Sequence, residues 1–344
     1  MNVSRTTGAN RTSPVQPLLL PGHKHIVYSI AFLPDGKQFI SGSMDNTVRT
    51  WSTKRDREIR TPIDCDSTVS AIAISNDGRW IATNGDRPWR VVLWSAATHD
   101  KVGECAGVHV GPLECLSFSA DATMIVSGAG DLTVVVWRVP TGERLAGPFR
   151  DHEDAVVSVV FSPDGDQLAT TDLHHVRILD SHSGSLILPP IELEVWALAW
   201  ATQPTDRVIF ASCGHSIKGI DVETGAVSFE WTAHRLTITC ISLSRDGQFI
   251  AASSNFDKTV RVWNTVTQQE CVPALEHNAL VRCAAISPDG SYVVSGGDNY
   301  TVYVWPIRDD IERIEGTSTS STVCGDRRIV QTADNTQDNR YYRR

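Results

Sequence analysis

No run of apolar residues in this 344-residue sequence approaches the roughly 20 that a membrane-spanning helix requires, although 41% of the chain is hydrophobic. The longest such run near the start, Leu18-Leu19-Leu20, is too short for the core of a secretion signal and follows polar, Thr-rich sequence. Basic residues are outnumbered 31 to 40, and the formal charge of −9 argues against a surface built to hold phosphates, and so against nucleic acid as a direct ligand. Neither GxGxxG nor GxxxxGKS/T occurs, so no glycine-rich nucleotide cradle, and no cofactor, is expected. CxxC pairs are also missing, and the eight cysteines fit no zinc or disulfide spacing. No stretch carries the apolar period of a long amphipathic helix.

What the sequence has instead is a period. Trp51, Trp94, Trp137, Leu179, Ile220, Trp263 and Trp305 follow one another at 43, 43, 42, 41, 43 and 42 residues. Self-similarity of this length marks a propeller of four-stranded blades, so seven units make one domain where length alone would suggest two. The first unit reads Gly22-His23, Val27 to Phe32, Pro34-Asp35-Gly36, Phe39 to Gly42, Asp45, Thr47-Val48, Trp51. Val27, Ser29 and Ala31 alternate with Tyr28, Ile30 and Phe32, as in a strand buried on both faces. Asp35-Gly36 closes a hairpin because glycine accepts a positive φ, and Asp-Gly returns at Asp77-Gly78, Asp164-Gly165, Asp246-Gly247 and Asp289-Gly290. Cys115, Cys240 and Cys283 fall on one repeat position, filled elsewhere by Ser29, Ala71, Ser158 and Ala197. That position calls for a small buried side chain, so the thiols are read as structural and the compartment as reducing, cytoplasmic or nuclear.

Gly-His, then Asp, then Trp at these distances resembles the WD40-repeat family, over about residues 15–308. The resemblance implies an all-β, seven-bladed propeller of four-stranded antiparallel blades whose N-terminal strand completes the last blade. Val15 to Leu20 stands where other units place their fourth strand, and unit seven loses the pattern after Trp305-Pro306-Ile307. Closure of this kind protects strand edges. Residues 1–14 and 309–344, polar and poor in apolar anchors, are expected to be disordered tails. The His position holds His23, Cys65, His109, His152, Ile191, His234 and His277. Units four and five also lack the Trp, which makes 150–225 the expected loosest part of the ring.

His23, Ser41 and Asp45 carry the side chains of a nucleophilic triad. His109, Ser127 and Asp131 repeat them at identical spacing, and His234, Ser253 and Asp257 approximately, with Ser254 an equal partner. A catalytic site is built once, with a pocket and oxyanion donors around it. Three copies, ending in Trp51, Trp137 and Trp263, resemble instead the family's structural tetrads, in which indole, imidazole, hydroxyl and carboxylate satisfy one another. Unit seven offers His277, Ser295 and Trp305 with Asn299 at the Asp position and Asp298 beside it. Unit two has Thr83 and Trp94 without His, and a lengthened turn, Asp86-Arg87-Pro88-Trp89. His152, His174, His175 and His182 fall on a repeat position and two turns without a Cys or carboxylate array, so no metal site is expected.

Function on a propeller resides in sites at its surface. In the family, partners meet the end bearing the turns before the Asp position. The resemblance turns outward the third and fifth residues after the His position and the residue before the Asp. Those positions and their neighbours put forward Tyr28, Met44, Trp89, Glu114, Trp196, Phe256 and Arg282 as partner-binding residues, mostly of types enriched at binding hot spots. The expectation is a non-catalytic scaffold or adaptor for protein or peptide partners, without a membrane role. A ubiquitin-ligase substrate receptor is one alternative, weakened because Ser52, Arg138 and Asn264 follow Trp51, Trp137 and Trp263 where a Trp-Asp-x-Arg motif would need Asp. An RNA-processing or chromatin subunit would need a basic face. A hydrolase, the least favoured alternative, would need a nucleophile outside the repeat.

Overall fold

A computed structural model of the chain describes residues 15–86, 88–201 and 207–312. The expected tails at 1–14 and beyond 312 lie outside the described residues. Seven four-stranded antiparallel sheets follow one another along the chain. In blade 1 the strands are Val27–Phe32, Gln38–Ser43, Thr47–Ser52 and Ile63–Asp64, paired in that order. Blades 2 to 6 repeat the pattern from Ile72, Leu113, Ser158, Leu198 and Ile238. Blade 7 takes Val281–Ile286, Tyr292–Gly297 and Thr301–Pro306 from the end of the ring and its fourth strand, Leu18–Pro21, from the beginning. Leu18 lies opposite Val304 and Leu20 opposite Val302, so the propeller is closed by both ends of its chain.

The turn after the innermost strand of blades 2, 3, 4, 6 and 7 shows how local sequence sets this geometry. Ser75, Ser119, Ser162, Ser244 and Ser287 each donate to the Asp two residues on, at 2.5–2.7 Å. The same carboxylates accept backbone amides two residues further. The glycine between, at φ 69–83° for Gly78, Gly165, Gly247 and Gly290, supplies the left-handed residue that lets the chain reverse.

The apolar core lies between blades. Seven clusters of buried side chains each bridge two consecutive blades. Trp51 joins Leu20, Val27 and Val302 between blades 7 and 1, while Trp137 joins Ala82 and Leu93 between blades 2 and 3. The small repeat position works at the same seams. Cys115, Cys240 and Cys283, all free thiols, donate to the carbonyls of Val156, Ala284 and Val27 on the next blade at 3.3, 3.4 and 3.7 Å. Ser29 and Ser158 accept the amides of Ile72 and Leu198, also on the next blade, at 3.1 Å. Burial pushes the Cys115 and Cys283 thiols well above their usual range, which keeps them protonated donors.

Blades 4 and 5 replace the missing Trp by other means. His152 meets Thr170 at 2.8 Å. Asp172, which the repeat pattern does not place, accepts the Glu153 amide at 3.1 Å and the Arg177 guanidinium at 2.5 Å. That ion pair is sealed, with side chains 3% and 0% exposed. In blade 5, Phe229 stacks on Trp231 at 5.9 Å between ring centroids, and Trp231 reaches Trp263 of blade 6 at 6.5 Å. Gly219 makes room for this cluster, since a Cβ there would collide with the Phe229 ring.

The end of the ring lies further on than residue 308. Arg308 to Glu312 form a helical turn, Ile311 is buried between blades 6 and 7, and Arg308 pairs with Glu312 at 2.9 Å. Residues 309–312 therefore pack on the propeller, anchored by the buried Ile311. Among the described residues, no helix is long and apolar enough to cross a membrane.

Buried polar sets and a candidate docking face

In blade 1, His23 Nε2 meets Ser41 Oγ at 2.7 Å and Nδ1 meets Asp45 Oδ2 at 2.9 Å, while Trp51 Nε1 donates to Ser41 Oγ at 2.7 Å. The strand pairing explains the meeting: Ser41 and Trp51 lie on adjacent strands, and Asp45 sits in the turn between them. Burial pushes the Asp45 carboxyl upward, but hydrogen bonds from His23, Thr47 and the Lys24 amide outweigh it and hold the group well below the usual carboxylate range. Blade 3 repeats the set, with His109–Ser127 and Trp137–Ser127 at 2.8 Å and His109–Asp131 at 3.4 Å. Here burial lowers the His109 imidazole. Ser41 and Ser127 have 0% exposure, so neither hydroxyl can be reached by a substrate.

Blade 6 departs from the expected set. His234 Nδ1 meets Asp257 at 2.9 Å, but its Nε2 lies 2.9 Å from the backbone oxygen of Ala252. Ala252, opposite Arg261, holds the place that Ser41 holds opposite Arg49. Ser253 is not part of the set. It lies one residue out of phase, on the other face of the strand, and its hydroxyl, the Ser254 hydroxyl and Trp263 Nε1 are all buried without hydrogen-bond partners among the described residues. The cause is one extra residue in the turn after Phe249–Ser254. His234 and Asp257 are 23 residues apart, against 22 for His23 and Asp45. Counting back from Trp263 lands on Ser253, whereas counting forward from His234 lands on Ala252. A slip of one residue turns a side chain to the opposite face.

The remaining sets are partial. His277 meets Ser295 at 2.7 Å and Trp305 donates to Ser295 at 3.0 Å, but His277 Nδ1 faces the Leu275 carbonyl and Asn299 bonds to Asn278 and Tyr303. In blade 2, Trp94 donates to Thr83 at 3.0 Å. Burial pushes the Cys65 thiol, at the His position, up to about 12. Among the described residues, no group of three or more His, Cys, Asp or Glu is placed to hold a metal ion.

The loops after the His position and the turns between second and third strands share one end of the ring. Side chains from the two meet in pairs sixteen residues apart: Tyr28 Oη lies 4.0 Å from Met44 Sδ, and Thr239 donates to Asn255 at 3.1 Å. Arg282 grips Asp298 at 2.7 and 3.1 Å. Asn255, and not Phe256, thus fills the turn place opposite the fifth position, and Phe256 is the residue that the longer turn pushes outward. Exposure reaches 66% at Phe256, 41% at Met44 and 39% at Trp196. Glu114 is exposed and Tyr28 and Trp89 are half-buried. Trp89 closes the long turn of blade 2, whose carbonyls of Asp86 and Pro88 accept Arg90.

Sequence reasoning missed Val110, Leu132, Leu236 and Tyr300, all exposed at this end. The two positions after the His would have found Val110 and Leu236, and the position after the Asp place would have found Leu132 and Tyr300. At the opposite end the axis opens into a cavity of about 560 Å³ lined by Phe32, Phe118, Phe161, Leu243 and Ile286, with no member of a His–Ser–Asp set on its wall.

Seven four-stranded blades, three of which join an indole and an imidazole on a shared Ser, define a WD-repeat β-propeller. The chain belongs to the WD40 family: the model for the WD domain, G-beta repeat, matches residues 14–52, 103–138, 143–186, 225–264 and 269–306, more than half of its length. The gaps fall on blades 2 and 5, where Cys65 and Ile191 replace the His. The chain is 23% identical over 297 residues to apoptotic protease-activating factor 1 of Rattus norvegicus, covering 84% of this chain and 22% of that protein. It is 24% identical over 269 residues to WD repeat-containing protein 18 of Danio rerio, covering 71% and 61%. A guanine nucleotide-binding protein subunit beta of Zea mays is 25% identical over 270 residues, covering 69% of each. The chain spans only part of the length of these relatives.

Proposed function

We propose that this propeller is a non-catalytic scaffold that docks protein or peptide partners on the end bearing Tyr28, Met44 and Trp196. One contrast carries the reading. The side chains with catalytic potential are sealed inside blades, while aromatic and Met side chains stand exposed around one end. Covering an anchor such as Trp196 at the centre of an interface supplies about 2 kcal/mol or more. A relative named as a subunit of the guanine nucleotide-binding protein supports a role inside an assembly. The buried, protonated thiols fit a cytoplasmic or nuclear setting.

Affinity capture from the native source, run with Trp196→Ala and Tyr28→Ala, tests the reading. Each substitution is expected to weaken recovery of the partner about tenfold or more while the melting temperature stays put. Recovery indifferent to both substitutions would place the site elsewhere.

A further inference from the structure

We propose that the docking end is electrically split, and that the half formed by blades 6, 7 and 1 takes an acidic segment carrying aromatic or large aliphatic side chains. The inference rests on the docking reading above and specifies its ligand. The residue directly after the His position is exposed in every blade. In blades 6, 7 and 1 it is Arg235, Asn278 and Lys24. In blades 2 to 5 it is Asp66, Val110, Glu153 and Glu192. Lys258, in the turn of blade 6, adds a third exposed cation to the first half.

Lys24, Arg235 and Lys258 take part in no ion pair among the described residues. The turn carboxylates of this half are hydrogen-bonded elsewhere, Asp45 to His23, Asp257 to His234 and Asp298 to Arg282. Asp64 and Glu276 lie on the outer strands Ile63–Asp64 and Leu275–Glu276. This half therefore presents three exposed cations that make no ion pair among the described residues.

The same half carries exposed apolar groups. Leu236, Phe256, Tyr300 and Met44 are 46%, 66%, 40% and 41% exposed. The His25 and Tyr300 rings lie 5.4 Å apart and join blades 7 and 1, and Tyr28 extends the patch to Met44. Lys258 and Tyr300 hold φ of 59° and 64°, a left-handed conformation that is unfavourable for a non-glycine residue. The turn thus places a long side chain outward where glycine would sit more easily.

A segment with carboxylates flanking Phe, Trp or Leu fits both features. Its side chains would cover the Phe256–Tyr300–Met44 surface, and its charges would meet Lys24, Arg235 and Lys258. A basic segment would leave all three cations facing like charge. Glu153 and Glu192, after the His position of blades 4 and 5, disfavour the same ligand on the outer rim of the other half, which is specificity by exclusion as well as attraction.

Three short synthetic peptides with a common Phe-and-Leu centre and Glu, Gln or Lys flanks test this by fluorescence anisotropy against the full chain. The Glu-flanked peptide is expected to bind about tenfold or more tighter than the Gln-flanked one, with an advantage that shrinks as salt rises. Combined Lys24→Glu, Arg235→Glu and Lys258→Glu should erase that advantage, and the corresponding Gln substitutions should reduce it, with unchanged melting temperature. Equal binding of the Glu and Gln peptides, preference for Lys flanks, or no binding by any of the three overturns the proposal. A salt-sensitive dimer of the chain that the triple Glu substitution abolishes also overturns it, by making a second copy the occupant. Capture of a native partner that responds to Trp196→Ala but ignores the triple substitution overturns only the acidic-segment inference and leaves the docking reading standing.

Discussion

Serine at position 252 should complete the hydrogen-bonded set that blade 6 lacks. Ala252 has the register of Ser41 and Ser127, and Trp263 Nε1 is buried with no acceptor among the described residues. In blades 1 and 3 the matching indoles donate to that hydroxyl at 2.7 and 2.8 Å. An orphaned buried donor costs ~1–3 kcal/mol and a formed hydrogen bond contributes ~1 kcal/mol net. Ala252→Ser should therefore stabilise the chain by about 1–2 kcal/mol, after the small strain of adding one oxygen to a position with 0% exposure. In urea the gain reads as a higher midpoint with an unchanged slope, and on heating as a rise of roughly 2–4 °C per kcal/mol. Trp263→Phe supplies the control, since it removes the donor that the new hydroxyl would satisfy. A lower midpoint for Ala252→Ser, or a gain that survives in the Trp263→Phe background, refutes the register argument.

Other expectations follow from the same contacts. Ser253→Ala should be neutral or stabilising by up to about 1 kcal/mol, because a buried hydroxyl without a partner is lost; a loss above that in urea midpoints would return Ser253 to the set. Burial holds His152 and His277 at about 4 in the folded chain, against about 6.5 unfolded. The unfolded chain therefore binds protons first as pH falls. Their contribution, up to about 3 kcal/mol each, is fully present above pH ~6.5 and lost as pH drops toward ~4. Below that range the depressed Asp45 and Asp257 carboxyls extend the loss. A midpoint unchanged between neutral pH and pH ~4.5 contradicts this. Hydrogen exchange among blade strands should be fastest within 150–225, above all in the three-residue strand Leu198–Trp200; slower exchange there than in blade 1 would count against it.

The period of the Trp positions made the blade number legible, because each Trp packs at a seam that every blade must make, while the closing strand followed from the family resemblance and the place of Val15 to Leu20. Blade 6 was harder to read. His and Trp gave two different counts to the same Ser, and only strand pairing shows which count the backbone follows. The Asp172–Arg177 pair was hidden because its turn does not keep the repeat spacing, so a charge that completes blade 4 looked like loop sequence. Phe229 and Trp231 lie on an outer strand, where the repeat fixes no residue type. Ile311 was missed because one apolar residue in a polar segment gives no periodic signal, yet one buried anchor suffices to hold a helical turn. At the docking end, residue type was readable but pairing was not: Arg282 is bound to Asp298, while Phe256 owes its exposure to the extra residue in its turn.

The most direct check on the separation of buried sets from exposed face compares Ser41→Ala and Trp196→Ala in one experiment, measuring melting temperature and Kd for the captured partner. Ser41→Ala should cost about 2–3 kcal/mol of stability, since it strands both His23 and Trp51, and leave Kd unchanged below the melting range. Trp196→Ala should weaken Kd about tenfold or more and leave the melting temperature unchanged. Loss of partner binding in Ser41→Ala without loss of stability, or loss of stability in Trp196→Ala without loss of binding, would contradict it.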